Sequence, residues 1–172
     1  MFLAKSHQAA TIAENSAQIF NPVDNINYQL APSSFYKKLA IKKILEKNNS
    51  PLIVSVDQFI NICNDYNFDC YLLPAIAGLE SSFGRFVYPN SYNPFGWGGG
   101  YIMFNNWDEA IEIVGKNIKI NYINKGLDSI DKIGMFYCEN PTWSTRIKWF
   151  IKQFEEEEEK IRLSFSKNRI EL

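Results

Sequence analysis

Eight consecutive residues, Leu72 to Leu79, carry no polar side chain, and the ninth is Glu80. The run is far short of the ~18 apolar residues that cross a bilayer, so it is expected in the core of a globular domain. A helix is predicted from about Tyr71 to Ser82. Pro74 is tolerated in a first turn, Ile76, Leu79 and Phe83 make one apolar stripe, and Gly84 is placed to stop it. The chain around it has 172 residues, 46% of them apolar, which suits one ordinary domain burying roughly 70% of its unfolded surface. Its 18 basic and 19 acidic side chains give no general reason to expect nucleic-acid binding.

The other predicted elements are helical. Phe35, Leu39, Ile41, Ile44 and Leu45 recur near helical spacing among Lys37, Lys38, Lys42, Lys43 and Lys47, with Pro51 as a stop. That basic face is read as solvated rather than as a polyanion site. Ser55 and Gln58 have capping-box spacing ahead of a second helix through Tyr66. Asn106 caps a helix with Trp107, Ala110, Ile111, Val114, Ile118 and Tyr122 inward. A short helix is expected over 128–136, and Asn140 and Pro141 open a last one with Trp143, Ile147, Phe150, Ile151 and Phe154 inward. Its Glu155–Glu159 charge run is read as a wet face. Residues 1–33, rich in Ala, Ser, Asn and Gln, are read as a linker or arm, 34–165 as the domain and 166–172 as a tail. No secretory signal is visible at the start, nor any transmembrane stretch.

Cysteine and histidine limit the chemistry. With His7 as the only histidine, a His-based triad or a multi-His zinc site is not expected. Cys63, Cys70 and Cys138 are an odd number and are read as buried thiols, any disulfide leaving one over. No metal or organic cofactor is implied.

Glu80 stands apart from the other acids, because it closes an apolar helix and precedes an unusual segment. Nine of the 26 aromatic residues lie between Phe83 and Trp107, together with Gly96, Gly98, Gly99 and Gly100 and no Asp or Glu. Extended stretches at 85–88 and 101–104 suggest a small hairpin or flap. Partial burial and the helix C-terminus would both disfavour a charged Glu80, as a general acid for glycosidic cleavage requires. Aromatic rings stack on sugar faces, so Tyr92, Phe95 and Trp97 are candidate groove residues, while Phe83, Phe104 and Trp107 suit the core.

The string from Ala75 to Arg85, with Glu80-Ser81-Ser82-Phe83-Gly84 at its centre, followed by Asn93-Pro94-Phe95-Gly96-Trp97-Gly98, resembles the signature of bacterial glucosaminidases (the mannosyl-glycoprotein endo-β-N-acetylglucosaminidase-like domain). Phe104 to Ile111 and Tyr137 to Trp143 are similar to two later segments of that family, with Trp143 in place of a Tyr. The resemblance covers residues 51–155. It implies a mostly α (α+β), lysozyme-like helical domain with a β-hairpin flap, related to lytic transglycosylases and acting on β-1,4 bonds of peptidoglycan. It implies Glu80 as general acid and Tyr137 as a catalytic hydroxyl facing the cleaved sugar. Asn93, Phe95 and Gly96 match the groove floor, and Ser81, beside the acid, joins the substrate-contacting set. A monomer in the cell wall, periplasm or extracellular space follows. Many relatives have a second carboxylate in the hairpin; here Asp108, Asp131 or Glu139 would have to serve, or a single acid suffices. A non-catalytic glycan-binding module of the same fold is the alternative.

Overall fold

The computed structural model describes the backbone of residues 32–170 and the side chains of 32–167. The arm expected over 1–33 lies almost wholly outside the described residues. Among these the protein is mostly helical: six α-helices, three short 3-10 turns and no strand. The helices are α1 (Ser33–Lys47), α2 (Val56–Tyr66), α3 (Leu72–Ser81), α4 (Trp107–Asn121), α5 (Ile130–Tyr137) and α6 (Trp143–Ile170).

The apolar run forms α3, which packs on α6 with every residue from Leu72 to Gly78 buried. Its end comes from three successive left-handed residues, Ser82, Phe83 and Gly84, rather than from the glycine alone. The Ser81 hydroxyl accepts the Gly84 N–H at 2.8 Å and fixes that reversal. Gly78 is the close-approach point. A Cβ there would lie 2.7 Å from the Phe83 ring and 2.9 Å from Phe150 of α6. Gly78→Ala is therefore expected to lower stability by about 1–3 kcal/mol through overpacking, measured as a fall in urea midpoint at constant slope.

Around α3 the pattern of inward residues follows the helical period. Tyr36, Ala40, Ile41 and Leu45 are the buried face of α1, and Ala110, Ile111, Val114 and Ile118 that of α4. Asn106 caps α4 by accepting the Glu109 N–H at 2.9 Å. The Ser55 capping box does not form. Pro51–Ser55 is instead a 3-10 turn leading straight into α2, and Ser50 caps it by accepting the Leu52 N–H at 3.0 Å while donating to the Phe83 carbonyl at 2.7 Å. The last helix continues through 166–170, beyond the point where the sequence pattern loses its apolar period.

Two charge patterns resolve differently. Of the α1 lysines, Lys38 pairs with Asp57, Lys42 with Glu46 and Lys43 with Glu157, and Lys37 lies 4.8 Å from the Tyr71 ring centre. That face is partnered and solvated, as expected. The glutamate run is not uniformly wet. The Glu157 and Glu158 side chains are 15% and 13% exposed, and Glu158 accepts from the Tyr71 hydroxyl at 2.6 Å and from Arg162 Nε at 2.9 Å. A single-helix charge count misses this, because the partner comes from α3's leading edge.

Cys63 and Cys70 form a disulfide across the α2–α3 connection, leaving Cys138 free. The expectation of three thiols is thus corrected. Spacing alone did not reveal it, because the left-handed Asn67 that caps α2 turns the chain back and brings the two Cα atoms to 4.9 Å.

The hairpin expected between 85 and 104 is also absent among the described residues, where turns take its place. Six residues of this stretch, Asn90, Tyr92, Gly96, Gly98, Gly99 and Gly100, have positive φ, which breaks any extended run long enough to pair.

Candidate functional site

Glu80 occupies the last turn of α3, one residue before its end. It is exposed, not partly buried as the sequence suggested. Its carboxylate is nevertheless restrained: the Trp143 indole Nε1–H donates to Oε1 at 2.9 Å. Trp143 is itself buried at the start of α6, so packing of α6 on α3 sets the direction of that bond. Gly96 flanks the other oxygen. A Cβ at Gly96 would lie 3.6 Å from Glu80 Oε2, and its φ of +70° suits glycine.

The Gly96 turn is built by a buried asparagine. Asn93 Oδ1 accepts the Trp97 N–H at 3.1 Å, and Nδ2 donates to the Trp97 and Ile102 carbonyls at 2.8 and 3.1 Å. All of its amide capacity toward the loop is used internally, so Asn93 shapes the turn and does not face a substrate. Ser81 has the same character. Its hydroxyl lies between the Ala77 and Pro94 carbonyls at 3.0 and 2.8 Å while accepting from Gly84. Phe95 is 1% exposed, a core residue rather than a groove wall. The spacing that marks these three is therefore the spacing of a loop scaffold.

Tyr137, from the end of α5, closes the site from the other side. Its hydroxyl accepts the Trp97 indole N–H at 3.2 Å and donates to the Phe95 carbonyl at 3.2 Å. Its ring stacks on Trp143, centroids 4.9 Å apart at 29°. Burial pushes the phenol well above its ordinary pKa; the Trp97 bond pulls against this and the charge of Glu80 adds to it. The hydroxyl therefore stays protonated at any physiological pH and orients the Gly96 turn.

Glu80, Gly96, Trp97, Tyr137 and Trp143 thus form one cluster. Tyr92 packs edge-on against Trp107 at 5.0 Å, half-buried. The acids considered as second carboxylates are engaged or displayed elsewhere: Asp131 holds Lys148 at 2.6 and 2.7 Å, Asp108 is in the first turn of α4, and Glu139 is exposed before α6. The residue that sequence reasoning missed is Trp143, taken as a core position of the last helix. Its place in the Tyr137–Trp143 segment was the available signal.

Comparison with known proteins finds no family model and no curated protein that matches this chain. Its functional reading rests on the chemistry of these residues.

Proposed function

We propose that the protein is a peptidoglycan glycosidase that cleaves β-1,4 bonds with Glu80 as its general acid, in the manner of glucosaminidases and lytic transglycosylases. The observation that carries the reading is the asymmetric setting of the Glu80 carboxyl. Trp143 occupies Oε1, so the transferable proton belongs on Oε2, the oxygen beside the side-chain-free Gly96. A glycine there leaves room for a sugar oxygen to approach.

The chemistry then needs one protein carboxyl. Glu80 Oε2 donates its proton to the bridging oxygen as the anomeric C–O bond breaks. The resulting carboxylate accepts a proton from the attacking hydroxyl, either the 6-hydroxyl of the same muramic acid, which yields an anhydro end, or water. The 2-acetamido group of the substrate is a further internal nucleophile. The lack of any acid between Ser81 and Trp107 favours such a single-carboxylate route. A lysozyme-like arrangement, with the turns of 85–106 as flap, and a monomeric protein acting outside the cytoplasm belong to the same proposal. The Cys63–Cys70 disulfide supports an oxidising compartment.

Trp143 is a positioning residue in this scheme. Trp143→Phe keeps a ring against Tyr137 and removes the N–H. It is expected to lower kcat on purified peptidoglycan by about 10-fold or more, from the ~1.5–3 kcal/mol of a hydrogen bond to a charged group, with KM little changed. Equal effects on kcat and on the thermal midpoint would mark the indole as packing alone. Mass spectrometry of released muropeptides tests the function itself. Anhydro-muramic ends mean transglycosylation, reducing N-acetylglucosamine ends a glucosaminidase and reducing muramic ends a muramidase. Binding without products would leave a glycan-binding module and end the proposal.

A further inference from the structure

Between Arg85 and Asp108 the chain has no charged side chain, yet three of its aromatic rings, Phe86, Tyr88 and Tyr101, stand in solvent. Tyr101 is 72% and Tyr88 54% exposed, and their ring centroids lie 5.5 Å apart at 58°. They form one small aromatic patch. The turn that presents Tyr101 is held on both sides. Before it, the Gly100 N–H donates to the Gly96 carbonyl at 3.1 Å; after it, the Ile102 carbonyl accepts from Asn93 and the Phe104 N–H donates to Ser91 at 2.8 Å. Gly98, Gly99 and Gly100 all take positive φ, and a Cβ at Gly98 would lie 2.7 Å from Ile102. The patch is therefore preorganised, and little ordering entropy is lost when something stacks on it.

The chemistry of the patch selects its occupant. An anionic membrane or a polyanion needs Lys or Arg; the segment between Arg85 and Asp108 has neither, and Arg85 itself lies over Phe86 at 5.3 Å. Flat rings and phenol hydroxyls instead match the C–H face and the rim of a neutral N-acetylated sugar. The Gly96 turn links the patch to the candidate site along the chain, closed by the Gly100 N–H on the Gly96 carbonyl. Five Cα steps of 3.8 Å place Tyr101 at most ~19 Å from Gly96, the reach of a short oligosaccharide.

We infer that Tyr88 and Tyr101 form a distal sugar-stacking subsite that holds the glycan strand beyond the bond addressed by Glu80. This deepens the proposed function and rests on it for the identity of the strand. It replaces buried Phe95 with two rings that a ligand can reach.

The test uses the full chain carrying Glu80→Gln, so that binding is read without cleavage. Its probes are sedimentation with purified peptidoglycan and titration with the N-acetylglucosamine pentamer. Adding Tyr88→Ala and Tyr101→Ala together is expected to weaken both by about 10-fold, whereas Tyr88→Phe with Tyr101→Phe retains binding within about 3-fold. Unchanged binding in the double alanine variant overturns the subsite, even if the wild type cleaves and the proposed function stands. Absence of muropeptide release by the wild type, with binding still lost in the alanine variant, overturns the catalytic reading and leaves the subsite. Adsorption to phosphatidylglycerol vesicles that the alanine pair abolishes, without peptidoglycan binding, overturns the subsite in favour of a lipid surface.

Discussion

Glu80→Gln is expected to slow the release of soluble fragments from purified peptidoglycan by about 10²–10⁴-fold, the usual contribution of a positioned general acid. The substitution changes little else. A glutamine carbonyl still accepts the Trp143 N–H, and the residue is exposed, so stability should stay within about 0.5 kcal/mol. The loss therefore separates proton donation from folding. Because Oε2 is the oxygen beside Gly96, the amide nitrogen of the glutamine would sit where the proton was carried, with no acidic proton to give. A variant with full activity and an unchanged fold would remove Glu80 from the mechanism.

Phe154→Ala should have the largest effect on the fold, a loss of about 3–5 kcal/mol, a large part of the ~5–15 kcal/mol by which domains of this kind are stable. Phe154 is fully buried on α6, its ring stacked on Tyr71 at 5.3 Å and edge-on to Phe83 at 6.2 Å. These contacts join the two ends of α3 to α6. Truncation opens a cavity between the helix that carries Glu80 and the one that carries Trp143, so activity should fall along with the urea midpoint. A shift below 1 kcal/mol would show that the seam collapses without penalty.

The helices were legible because their apolar residues recur with a single period and their caps are local. Asn106 ahead of Glu109, and the apolar run ending at Glu80, announce structure within one turn of the chain. Features set by tertiary partners were not legible. Glu158 reads as one more solvated glutamate until Tyr71 is placed against it, and Cys63 and Cys70 read as core thiols until the Asn67 turn brings them together. The segment from Phe83 to Trp107 shows both sides. Its density of rings and glycines marked the stretch that folds as turns and brings Gly96 beside Glu80. Which rings face inward was decided by left-handed turns, so Phe95 is buried and Tyr101 displayed. Trp143 illustrates the same limit at the site, since a residue with the right helical phase for the core also aims its one polar atom at Glu80.

Mass spectrometry of the soluble muropeptides released from purified peptidoglycan, run side by side for the wild type and Glu80→Gln, addresses the central claim most directly. The expected result is a set of glycan fragments with new anhydro or reducing ends from the wild type, and almost none from the variant. No new ends from the wild type, or the same ends in the same yield from both proteins, would contradict it.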